Sequence, residues 1–146
     1  MPRVRFEAGI VCDDIRIENN GKLIAIGIYG VDIRLPEIPS GTTLSFLVVG
    51  TAIEDGDIKI EFRAQVNDSP VLKIEAGAGV RGGRLMIPVS NVPIVLNQEG
   101  RMVLEARNIG EKDWQNIGEL VIGRAPQATV SISPQQPSGQ SPTGTS

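Results

Sequence analysis

The chain has 146 residues, a formal net charge of −3 and 40% apolar residues, enough for one domain around a buried core. Its 14 Lys and Arg are scattered among 17 Asp and Glu, so it carries no electrostatic footprint for DNA or RNA. With no His and one Cys, it excludes Ser-His-Asp and Cys-His catalysis, a structural zinc site and an internal disulfide.

The first stretch, MPRVRFEAGIVCDD, has no long apolar run and no small-residue cleavage site. It does not read as a signal peptide, and nothing in the chain approaches the ~18 apolar residues of a membrane-spanning helix. A lone cysteine fits a reducing compartment, so the expected location is cytoplasmic. Within this stretch Phe6, Ala8, Ile10 and Cys12 fall on even positions, whereas Ile15 and Ile17 fall on odd ones. If all of them face the core, one residue must be gained between Cys12 and Ile15. A β-bulge or sharp bend at Asp13-Asp14 supplies it, with the two carboxylates bonded to nearby backbone or to an Arg. As adjacent strand residues they point to opposite faces, which argues against a shared metal or an acid-base pair.

Asn20-Gly21, followed by Lys22, is the strongest turn signal in the chain. A two-residue loop there places Ile17 opposite Ile24 and Ile15 opposite Ile26, with the apolar residues on one face. Tyr29 lies between Gly27 and Gly30, and its ring is expected to pack over the Gly27 backbone. A Pro-containing loop, RLPEIP, leads to TLSFLVVGTAI at 43–53, whose apolar run suits a central strand. Asp55-Gly56 reads as a hairpin turn joining it to IKIEFRAQV at 58–66, which alternates apolar and polar over nine positions.

NDSP at 67–70 turns the chain into VLKIEA at 71–76. GAGVRGG at 77–83 holds Arg81 and precedes Arg84, but it runs into a strand and opens no helix, so it reads as a flexible hairpin tip or bulge and not as a phosphate cradle. Pro88 and Pro93 confine the next segment to an edge, a bulge or a strand end. NQEG at 97–100 turns into RMVLEAR, and WQNIGELVI at 114–122 is a last strand. Residues 125–146 carry no charge and four of the ten prolines, so they read as a flexible tail, with 128–132 (ATVSI) able to add a short strand.

This is an all-β chain: an antiparallel β-sandwich of about eight or nine strands over 1–124, then the 125–146 tail. Cys12, Asp13, Asp14, Gly21, Lys22, Gly27, Tyr29 and Gly30 together resemble the pattern of an uncharacterised bacterial family of small β proteins: a C-acid-acid stretch, a G-K turn and a G-x-Y-G element. The resemblance covers mainly the first forty residues. It implies an immunoglobulin-like or C2-like sandwich and no particular activity.

Three functions follow as expectations. The first is a non-catalytic protein-interaction or structural module with no cofactor, partnered by protein and open to self-association through its sheet edges. The second is a calcium-dependent C2-type module for binding a membrane or a ligand, using Asp55 and Asp57, with Asp113, Asp32 or Asp68 near other turns. The third is an acid-based hydrolase, which needs carboxylates converging near Asp13, Asp14 and Asp32. Only two residues are Tyr or Trp, which leaves few platforms for sugars.

Overall fold

Nine strands form among residues 3–126, the part of the chain that the computed structural model describes. They are β1 (Val4–Ile17), β2 (Leu23–Tyr29), β3 (Asp32–Leu35), β4 (Ser40–Ala52), β5 (Gly56–Val66), β6 (Ser69–Val80), β7 (Gly83–Leu96), β8 (Gly100–Asn108) and β9 (Gln115–Arg124). A four-stranded sheet ordered β2-β1-β4-β7 packs on a five-stranded sheet ordered β3-β9-β8-β5-β6. The short strand suggested at 128–132 lies outside the described residues.

Period-two patterning explains the core between the sheets. Ile58, Ile60, Phe62, Ala64 and Val66 of β5 are buried, as their alternation predicts, and Met102, Leu104 and Ala106 of β8 stand beside them. Phe46 and Val48 of β4 close the core from the other sheet, and the Phe46 and Phe62 rings meet with centroids 5.2 Å apart. That tilted aromatic contact pins one sheet to the other.

Several expected pairings change. β4 and β5 do not form a hairpin: Ile53 to Asp55 carry the chain from one sheet to the other, and β5 pairs with β6 and β8. Both strands are apolar because both line the core, and sequence proximity says nothing about which sheet each joins. The glycine-rich stretch at 77–83 is likewise no hairpin tip: Gly77 to Val80 continue β6 against β5, Arg81 and Gly82 cross to β7 in the other sheet, and Gly82 N donates to Asp55 Oδ1 at 2.6 Å. The sandwich is not wholly antiparallel either, since β3 runs parallel to β9. Pro88 and Pro93 do lie on an edge strand, β7.

The β1–β2 register differs by one residue from the expected one. Ile17 stands opposite Leu23 and Ile15 opposite Ala25. Glu18 N donates to Lys22 O at 2.8 Å and Gly21 N to Glu18 O at 2.9 Å, with Gly21 at φ 85°. The loop therefore has three residues, a tight turn followed by a left-handed glycine. One extra residue in the loop moves the β2 side chains that follow it to the opposite face. Ile24 and Ile26 are consequently exposed, at 42% and 41%; Ile28, beyond Gly27, is exposed at 59%.

Candidate functional site

The outer face of the four-stranded sheet is where the sequence and the fold disagree most. β4 is buried on both sides. Phe46 and Val48 face the main core, while Leu47 and Val49 join Cys12 and Ile15 in a second cluster, with Ala8, Ile10, Leu23 and Ala25 packed against it. A phase change in β1 makes this possible. Val4 and Phe6 side with the main core, but the ladder with β4 shifts register between Phe6 and Ala8, and Ala8 and Ile10 then face outward. The register break of β1 against β4 is thus at Glu7, six residues before the expected position at Asp13.

Asp13 and Asp14 nevertheless mark a second phase change. Cys12 and Ile15 belong to the same cluster although their spacing is odd. Cys12 pairs with Ile28 and Asp14 with Ile26 in one unbroken register, while Asp13 and Gly27, which would stand opposite each other, make no rung. Both strands turn over together at this point. Gly27 has φ 69°, and a Cβ there would run into the Asp13 carboxylate. Beyond it the hairpin leans over the outer face. β1 touches β7, which lies beyond β4, and an apolar cleft of about 600 Å³ opens between Ile17, Gly21, Lys22 and Leu23 at the hairpin tip and Met86 and Pro88 of β7.

The polar groups at the bend are occupied. Tyr29 OH donates to Asp13 Oδ1 at 2.6 Å, and that bond, more than burial, pushes the phenol up to about 12. The Asp13 carboxylate, and not the Tyr29 ring, covers Gly27. Asp14 Oδ2 accepts from Arg16 Nε at 3.2 Å. The Asp13 carboxylate bonds a phenol where backbone or an Arg was expected. Cys12 is fully buried, its Sγ 3.5 Å from Asp14 O; burial raises the thiol, and the neighbouring Asp13 and Asp14 charges add to this. A neutral, enclosed thiol of this kind is a packing residue.

The remaining expected residues sit apart. Asn20 Oδ1 accepts from Lys22 N at 3.0 Å within the hairpin tip, and Gly30 lies in the link to β3. Asp32 pairs with Arg34 at 2.8 Å. Asp55 is bonded to the 77–83 crossing, and Asp68 forms part of the left-handed Asn67-Asp68 turn. Among the described residues no three acidic, Cys or His side chains gather as metal ligands, and no described helix is long and apolar enough to cross a membrane.

The five-stranded sheet presents a contrasting outer face. Arg63 Nε donates to Glu105 and Arg107 Nε to Glu61, each at 2.8 Å, and Lys73 Nζ lies 3.4 Å from Glu61. Arg107 leads, with Lys73 assisting, in holding the Glu61 carboxyl below its usual range. The Arg63 and Arg107 guanidiniums lie 4.1 and 4.2 Å from the Trp114 ring centroid. Every charge in this group has a partner, and its only Trp is already stacked.

Sequence reasoning missed Leu47, Val49, Met86 and Pro88 as parts of one surface. The signal was present in β4: an apolar run without alternation means a strand covered on both faces. It also missed Ser45, which is buried and accepts from Asn91 N at 3.0 Å beside a register shift in β4. The chain matches no protein-family model and no curated protein.

Proposed function

We propose that the chain is a non-catalytic protein-interaction module that binds its partner along β2 and the adjoining outer face of the four-stranded sheet. One observation carries this reading: among the described residues, β2 is the one sheet edge longer than four residues that carries neither proline nor charge. β7 carries Pro88 and Pro93, β6 carries Pro70, Lys73 and Glu75, and β3 has only four residues, two of them charged. β2 reads LIAIGIY, with neither charge nor proline and with three exposed isoleucines. An unprotected apolar edge either aggregates or is an interface, and natural folds retain such an edge where something pairs with it.

The wider identity follows the same line. The motif residues Cys12 to Gly30 support membership of the uncharacterised bacterial β-protein family, and a single reduced thiol supports a cytoplasmic setting. A second copy of the chain is one protein that this edge could accept.

A photo-crosslinking side chain at position 26, compared with one at position 65 on the opposite sheet, tests the proposal in the native cell. Adducts to a discrete protein, or to a second copy, are expected from position 26 only. Equal yields from both positions, or none from position 26, would remove the β2 surface as the interface.

A further inference from the structure

We infer that the β1–β2 hairpin beyond Cys12 is a flap, hinged at Asp13 and Gly27 and latched by the Tyr29–Asp13 hydrogen bond, whose opening uncovers the outer apolar cluster. The ladder holding β1 to β4 ends at Cys12, opposite Ser45. Among the described residues, the hairpin from Asp13 to Gly27 pairs only with itself, Asp13 and Gly27 contribute no rung at the hinge, and no ladder joins this segment to the rest of the sheet.

What holds it down is a small apolar contact. Ile15, Leu23 and Ala25 meet Leu47, Val49 and Cys12, while Ile24 and Ile26 on its other side face solvent. An isolated two-stranded hairpin is marginal in water, so the segment depends on that contact for its order. The cleft beneath the tip shows that the contact is incomplete: Ile17 is 65% exposed and Met86 49%. Elements with few buried contacts open locally, well below the free energy of global unfolding.

The hinge has a defined geometry. Gly27 supplies the left-handed backbone, with the Asp13 carboxylate filling the place of its missing side chain. Tyr29 belongs to the fixed side, being packed against the main core, and its hydroxyl holds the carboxylate of Asp13 at the hinge. The latch therefore fixes the pivot in its closed geometry. Opening would lift most of β2 off Leu47 and Val49 and add those side chains to the surface proposed above for a partner, although the flap itself does not depend on that reading.

Cys12, the only cysteine, lies buried under the flap and reports on it. Its labelling by a small thiol reagent, and amide exchange of the hairpin against β5, are to be followed in increasing urea, with Trp114 fluorescence reporting global unfolding from the far sheet. Labelling and hairpin exchange are expected to depend only shallowly on urea and to outpace global unfolding. Tyr29→Phe is expected to accelerate labelling about tenfold or more, the worth of a hydrogen bond to a charged acceptor, and Asp13→Asn, which keeps an acceptor, by less. If Cys12 labels only with the steep urea dependence of global unfolding, the hairpin is a fixed part of the sandwich and the inference fails. The wild-type urea dependence decides this even if a variant does not fold.

Discussion

The two sheets share one core yet meet their surroundings in opposite ways. The outer face of the five-stranded sheet is finished: Arg63, Arg107, Lys73, Glu61 and Glu105 neutralise one another around Trp114. On the four-stranded sheet, ion pairs lie at the margins, Arg84 with Glu7 and Arg16 with Asp14, and the middle is aliphatic. A sheet face can be covered by its own charges or by another apolar layer. One sheet uses the first solution, and the other achieves the second only in part, with a bent hairpin. The difference locates the unfinished side of the molecule without reference to any active site.

Emptying the outer cluster should have the largest consequence. Leu47→Ala is expected to cost about 2–5 kcal/mol in urea unfolding, the range of a core truncation, although Leu47 lies outside the inter-sheet core. A cost below about 0.5 kcal/mol, typical of surface sites, would make the outer cluster superficial and erase the contrast.

A smaller effect, on the charged sheet, is set by acid. Arg107 and Lys73 hold Glu61 below its ordinary range, so the folded chain keeps this carboxylate ionised where the unfolded chain takes up a proton. Its contribution is complete above the usual glutamate value of about 4.3 and is lost as the pH falls below it. Glu61→Gln should flatten the acid limb of a stability-pH curve. An unchanged limb would mean that the ion pairs around Trp114 are as weak as ordinary exposed pairs.

The smallest effect is spectroscopic and concerns the hinge. Tyr29 is the only tyrosine, so its ionisation can be followed alone by absorbance. It should titrate near pH 12 in the folded protein, above the usual 10, and return toward 10 in Asp13→Ala. The proton retained by the folded form means that this group's stabilisation is present below pH 10 and fades between pH 10 and 12. A wild-type midpoint near 10 would place the hydroxyl away from Asp13.

The fold class was readable because β5 and β8 alternate cleanly and their turns carry Asn, Asp and Gly. Sheet membership was not, because a strand of either sheet shows the same alternation, and the Ile53 to Asp55 crossing resembles a hairpin turn in composition. β3 escaped notice despite Ile33 and Leu35 alternating with Asp32 and Arg34, since four residues before a proline give little signal. Parity counting found a real phase change at Asp13-Asp14, linking Cys12 to Ile15, but assumed a single core. With two clusters on opposite faces of β1, an additional break at Glu7 was required, and only pairing with β4 could reveal it. Gly27 and Tyr29 stood out in the sequence, while the Asp13 contact that explains both is made across strands.

Asn108, buried near the end of β8, deserves a kinetic reading. Its side chain accepts from Val4 N at 2.8 Å and donates to Val4 O at 3.0 Å, acting as one extra rung for the start of β1. Of the seven strand pairings among the described residues, four join strands that are not consecutive: β1–β4, β3–β9, β4–β7 and β5–β8. Chains dominated by such distant pairings fold slowly, in milliseconds to seconds. During synthesis β1 emerges before the other described strands, yet its Asn108 clasp lies 104 residues further along the chain. Until then, the strand that carries the hinge must remain soluble without its anchor.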